Sequence, residues 1–363
     1  MPANPVTYTA FLNADEVRAV AVGRRRRERA GAFVVGAGTA VVLVALLVIP
    51  LFLIRSLLPW AGLAAGTWQH LGVLFAGSVK AAVAALVVAV PIGLATAIFT
   101  AHFGAPRLRA FIKPALEILE AIPTVVLGLV AAATLAPWLK TNLATLLLAV
   151  IAVPAALMAG GLFFGAKLRR RETWLPLWLL PLLLVVVAAI VAAFARSDQP
   201  VIAVTTPWNA VLIGLALGLA AVPLVFSIAE DALTLIPSTH TQAALALGAT
   251  RWQALTSMVL PAAASGLVAA VVLGASRCIG ETMIVLMASG NTPLFDVNPL
   301  TGLRSISAEL AIGLPEAAPP GQSYRVLLLA ALVLFALTFV LNFLAERVRA
   351  TLRRQAGTAA HGL

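Results

Sequence analysis

The stretch PSTHTQAALALGATRWQALTSMVLP, residues 237–261, decides how this chain is read. Thr239 and Gln242 form T-x-x-Q, the spacing of a capping box, and predict a short helix from about His240 to Leu247. Gly248 falls where a left-handed residue ends a helix. Thr250 and Gln253 repeat the capping signal and start a second helix, and Pro261 sits early in the long apolar run that follows. The order specified is helix, glycine bend, helix, apolar segment. Ala243, Ala244, Leu245 and Leu247 give the first helix a surface that a partner could approach closely. The same residues would also suit an interfacial helix that only connects its neighbours.

The chain around this stretch is made for hydrocarbon. Of 363 residues, 61% are hydrophobic and 11% charged, with a mean hydropathy of +1.02. Soluble domains are about a quarter charged. Eight apolar segments run at about 31–55, 73–101, 114–138, 143–166, 174–195, 208–229, 259–289 and 325–345, each near the roughly 20 residues a spanning helix needs. Prolines inside them (Pro91, Pro123, Pro154, Pro181, Pro223) are tolerated where neighbours satisfy the freed carbonyls. The fold class is all-α: an integral membrane protein built as a polytopic helical bundle of about eight transmembrane helices.

The net charge of +11 would suggest nucleic acid in a soluble protein. Here the basic residues sit in short loops. With the N-terminus inside, eighteen of the 25 Lys and Arg fall in inside loops and five in outside ones. That asymmetry predicts both termini on the cytoplasmic side of a cytoplasmic membrane and argues against a nucleic-acid partner. Residues 1–30 are then a basic cytoplasmic segment, 31–55 a retained first span rather than a cleaved leader, and 351–363 a cytoplasmic tail. One cysteine, Cys278, permits no internal disulfide, and the four histidines lack ligand spacing. With no G-x-x-x-x-G-K-[ST] phosphate loop, no cofactor is expected in this chain, and any ATP-Mg would be used by a partner.

A second stretch, VVLGASRCIGETMIVLMASG (271–290), carries Arg277 and Glu281 inside an apolar run. In a continuous helix they stand one turn apart on one face. Arg277 lies 16 residues beyond Pro261, roughly 24 Å along a helix, inside a hydrocarbon core of about 30 Å. A charge at that depth faces the bundle interior or water. The plain alternative is a structural ion pair between helices. Elsewhere, Glu117 and Glu120 read as interfacial carboxylates, with Thr124 after the AIP kink. Glu230 and Asp231 read as an exposed helix end, Lys80 as a residue snorkelling outward, and Trp60, Trp68, Trp138 and Trp208 as an interfacial belt. The outer segment 291–324 contains LRSISAELA, a candidate short helix.

Together these residues resemble a known family. Gln242-Ala243-Ala244, then Gly248, nine residues, and Met258-Val259-Leu260-Pro261 are similar to the EAA loop of ABC importer permeases, E-A-A-x-x-x-G, nine residues, I-x-L-P. Gln242 stands for Glu and Met258 for Ile. LEAIPTVVLG (119–128), FSIAEDA (226–232), GETM (280–283) and GNTP (290–293) narrow the resemblance to PstC-type phosphate permeases, over about residues 70–350. The segments at about 143–195 look like a helix pair inserted before the loop, as in longer members, while residues 56–72 are too few for those members' other insertion.

The resemblance implies an ABC type I importer permease, a transporter subunit and not an enzyme, for inorganic phosphate. It implies a PstA-like second permease, a dimer of ATP-binding subunits, and an extracytoplasmic phosphate-binding protein, for which 291–324 is the candidate contact. Gln242, Ala243, Ala244, Gly248, Leu260 and Pro261 would couple to the ATPase. Arg277, Glu281 and Thr282 would line the substrate path, Arg277 holding the anion through its planar fork and Glu281 neutralising it when the path is empty. Arginine and helix dipoles would hold another oxyanion too. A secondary phosphate transporter and a phosphate-sensing membrane protein are the alternatives from other classes.

Overall fold

A computed structural model describes residues 14–57, 66–143, 146, 206–319 and 321–361. It contains helices and no strand among those residues. The helices are α1 (Ala14–Leu57), α2 (Thr67–Phe103), α3 (Pro106–Ala121), α4 (Thr124–Leu143), α5 (Ala210–Thr234), α6 (Ser238–Ala246), α7 (Arg251–Gly280), α8 (Met283–Ala288), α9 (Ile306–Gly313) and α10 (Gln322–His361). Six among the described residues are long and apolar enough to cross a membrane: 31–57 of α1, then α2, α4, α5, α7, and 322–350 of α10. The expected spans at 143–166 and 174–195 lie outside the described residues.

The chain divides into two compact units, Met1–Ala61 and Gly62–Leu363. In the first, the basic stretch 18–29 is already helical and runs straight into the span. Phe33, Val34, Val41 and Val42 are exposed on different sides of it, the surface of a helix that is apolar all round.

The second unit is built on α2 against α5, with α7 across both and α10 against α7. Its core is alanine-rich: Ala81, Ala85 and Ala89 of α2 meet Ile213, Leu217 and Ala221 of α5. Gly214 and Gly218 make the close approach possible, since a Cβ on either would stand 2.8 Å from a backbone carbonyl oxygen of α2, Ala84 or Ala85. In a membrane, where apolar burial does not drive helices together, such small-residue contact lets backbones pack.

Two expected spans are broken. The one placed at 114–138 ends at Ala121 and restarts at Thr124, with Ile122 extended (φ −65°, ψ 126°). Pro123 is the cause: it disfavours helical geometry in the residue before it and donates no N–H. The one placed at 259–289 begins earlier, at Arg251, and ends at Gly280. Glu281 is extended (φ −70°, ψ 128°) and α8 follows.

The 237–261 stretch forms the expected helix, bend and helix, with one correction. Helix α6 starts directly after Pro237 and has no side-chain cap. The Thr239–Gln242 box therefore does not form, because the fixed φ of Pro237 sets the start two residues early. Gly248 has φ +86°. Its N–H donates to the Leu245 carbonyl, and that of Ala249 to the Ala244 carbonyl, the bond pair of a Schellman ending. The second box is complete: Thr250 N–H donates to Gln253 Oε1 at 2.8 Å and Gln253 N–H to Thr250 Oγ1 at 3.2 Å. A π-turn over Leu255–Val259 then lets the helix pass Pro261, with Leu260 N–H donating to the Leu255 carbonyl.

Candidate functional site

The two helix breaks lie together. Short helix α8 packs on the start of α4. A Cβ on Gly128 would stand 3.1 Å from the Met283 carbonyl oxygen and 3.2 Å from Ile284 Cα, so the restarted segments touch backbone to backbone. Just before the breaks, the last turn of α7 carries Arg277 and the last turn of α3 carries Glu120. Arg277 Nη1 stands 3.5 Å from Glu120 Oε1, and the two side chains are 34% and 44% exposed.

This corrects the expected pairing. Arg277 and Glu281 are not on one helical face, because the helix ends between them. Glu281 turns its carboxylate back on its own chain, Oε1 accepting the Met283 N–H at 3.2 Å. Its backbone carbonyl accepts from Ser307 Oγ at 2.8 Å, which ties the break to α9. Thr282 Oγ1 donates to the Gly280 carbonyl at 3.4 Å. The partner of Arg277 is Glu120, a residue that sequence reasoning set aside as interfacial. Cys278 beside it is buried and free.

Each member of the pair faces a different cavity. Arg277 lines an open groove of about 360 Å³ with Leu224, Leu273, Ser276, Thr338 and Asn342. Glu120 lines a second cavity of about 120 Å³, which includes Lys113, Glu117, Ser227 and Glu230. The ion pair links a residue lining one to a residue lining the other.

A second charged cluster closes the far side of the smaller cavity. Glu230 is 3% exposed, and not the free helix end expected. Arg109 Nη2 donates to its Oε1 at 2.8 Å and Lys113 Nζ stands 2.7 Å from its Oε2. A buried carboxylate needs such partners. The spacing that could have found them is on α3 itself: Arg109, Lys113, Glu117 and Glu120 recur every three or four residues and share one helical face. Neighbouring Asp231 stands 3.7 Å from Arg349 of α10.

On the 237–261 stretch, Gln242 and Ala243 are exposed while Ala244 is buried. Leu247 is 86% and Trp252 60% exposed. The Trp252 ring lies 6.4 Å from that of Phe103 at the end of α2. Leu260 is half-buried and Pro261 exposed. This leaves an apolar, partly aromatic surface beside the Gly248 bend.

At the other end of the bundle, the expected short helix is α9, with Ser305 Oγ accepting the Ala308 N–H. Lys80 Nζ donates to Thr301 Oγ1 at 2.8 Å. Glu309 holds His70 Nε2 at 3.3 Å through one oxygen and lies 2.8 Å from Arg304 Nε through the other, the latter an ion pair by distance without hydrogen-bond alignment. In the loop before α9, the Asn298 N–H donates to Asp296 and holds its carboxyl below the usual carboxylate range. Trp68, Trp138 and Trp208 are exposed; Trp60 lies outside the described residues.

Known proteins share this arrangement of sequence. Residues 173–354 match the family described as the binding-protein-dependent transport system inner membrane component. The phosphate transport system permease protein PstC of Mycobacterium leprae is 28% identical over 281 residues, 76% of this chain and 73% of the relative. The PstC of Mesorhizobium japonicum is 27% identical over 274 residues, 74% and 70% of the two chains. That of Xylella fastidiosa is 26% identical over 290 residues, 77% and 74%. With half of its length matched in this way, the chain belongs to the inner membrane components of binding-protein-dependent transport systems, and within them it is PstC-like.

Proposed function

We propose that this chain is the permease subunit of an ATP-driven importer for inorganic phosphate, in a bacterial cytoplasmic membrane with both termini cytoplasmic. It forms the path with a PstA-like second permease. The 237–261 loop docks on a separate ATP-binding dimer, and 291–324 receives an extracytoplasmic phosphate-binding protein. The observation that carries the reading is Arg277, a half-exposed guanidinium at paired helix breaks in an apolar bundle. Its planar fork matches phosphate oxygens. The groove that Arg277 lines, between α5, α7 and α10, is open to such an anion. Glu281 and Thr282 shape the path by holding the break in α7, and ATP is hydrolysed by the partner.

Coupling follows from continuity. Helix α7 runs unbroken from the Thr250 capping box to Arg277. Movement imposed at the Gly248 bend therefore reaches the anion site along one rod. The test is to purify the chain with its partner ATPase and measure ATP hydrolysis across phosphate, sulfate, molybdate and nitrate, with the binding protein supplied. Stimulation by phosphate above the others is expected. Stimulation by another oxyanion alone would reassign the substrate. Broken helices also occur in ion-gradient-driven transporters, and phosphate uptake by the purified chain without ATP would favour that reading.

A further inference from the structure

We propose that Glu120 is the carboxylate that an incoming phosphate displaces from Arg277, and that this ion pair is the closed partition between the two cavities. The inference rests on the reading of Arg277 as the anion site and assigns that site its competing group. Three observations carry it.

The first is geometric. Among the described residues, Glu120 is the acidic side chain in ion-pair contact with Arg277, at 3.5 Å. Glu281, nearer in sequence, is engaged on the Met283 N–H. The second is the looseness of the contact. At 3.5 Å through one nitrogen it is not the bidentate pairing that Arg makes with a carboxylate when geometry allows. Both side chains are about a third exposed or more. A pair of that kind is worth little, so phosphate, with more oxygens and more charge, can replace it. The third is position. Arg277 lines the groove between α5, α7 and α10, and Glu120 lines the cavity between α3 and α5. The pair thus spans from the lining of one space to the lining of the other. Breaking it releases the last turn of α3 from the last turn of α7, at the points where both helices are already broken.

The consequence is a trade between holding and releasing. While Glu120 stands beside Arg277, the empty path carries no bare cation. When phosphate takes the guanidinium, Glu120 is set free at the entrance of the next cavity and repels the anion it has admitted. Phosphate returns to water more readily because Glu120 can retake Arg277. A carboxylate at this place therefore raises the concentration needed for binding and shortens the stay. Both are required of a site that must let go.

The test uses the complete importer in membranes or proteoliposomes, with initial rates of labelled phosphate uptake. Glu120→Gln removes the charge and keeps the shape. Its apparent KM should fall about fivefold, the upper worth of an exposed pair, and its maximal rate should fall with it. A variant that only damaged packing would lose rate with an unchanged or higher KM. Glu120→Asp keeps the charge on a shorter arm and should fall between wild type and Gln. If Glu120→Gln does not reach the membrane, Glu120→Asp carries the test. An unchanged or raised KM in the variants that accumulate normally overturns the inference. Arg277→Gln in the same assay separates the two claims. Lost uptake there, with unaltered KM in Glu120→Gln, leaves the anion site standing and removes Glu120 from it. Normal uptake by Arg277→Gln removes both.

Discussion

Helix α3 carries two ion-pair clusters on one face, and they are built differently. Near its start, Arg109 and Lys113 close on a Glu230 that is 3% exposed, at 2.8 and 2.7 Å. Near its end, Glu120 meets Arg277 at 3.5 Å with both side chains about a third exposed or more. The first has more cations than anions and satisfies both oxygens of a buried carboxylate. The second is a single weak contact between residues that line different cavities. Burial and full satisfaction mark a joint that holds α3 to α5. Exposure and a loose contact mark a place where a ligand can compete.

Thermal unfolding of the detergent-solubilised chain should sharpen this contrast. The largest effect belongs to Arg109→Ala with Lys113→Ala. It leaves the Glu230 carboxylate buried without a cation, which costs about 3–5 kcal/mol when one side of a buried pair is removed. A loss below about 1 kcal/mol would show that water reaches Glu230 and that the joint is not a joint. The smallest belongs to Glu120→Gln. Its midpoint should stay within the range of an exposed pair, about 0–1 kcal/mol, although its transport kinetics change. A large loss of stability there would make the Arg277 pair structural and erase the distinction between the two clusters.

The same chain shows which features can be read without coordinates. The Thr250–Gln253 box and the Gly248 bend were legible because each is a local device, complete within four or five residues. The Thr239–Gln242 box has the same letters and does not form, because Pro237 starts the helix before the cap can. Pro123 is visible as an interruption, but a lone proline in an apolar run suggests no more than a kink within one span. The restriction it places on Ile122 was the stronger signal.

The break after Gly280 was not legible. No proline stands there, and what keeps Glu281 out of the helix includes a hydrogen bond from Ser307 far along the chain. With the helix ended at Gly280 and its carboxylate on the Met283 N–H, Glu281 leaves Arg277 to a residue in another helix. The charge at Arg277 could be found by hydropathy alone, but its partner could not. Glu230 shows the converse. Its burial was missed at the helix end, although the four charged positions on α3 recorded the face that covers it.

The central claim is that Arg277 holds the transported anion. Initial-rate uptake of labelled phosphate by Arg277→Gln, against wild type at equal membrane levels and with all partner subunits present, tests it most directly. Uptake should fall to background while assembly with the ATPase is retained. Uptake at the wild-type rate, with the wild-type KM, would contradict it.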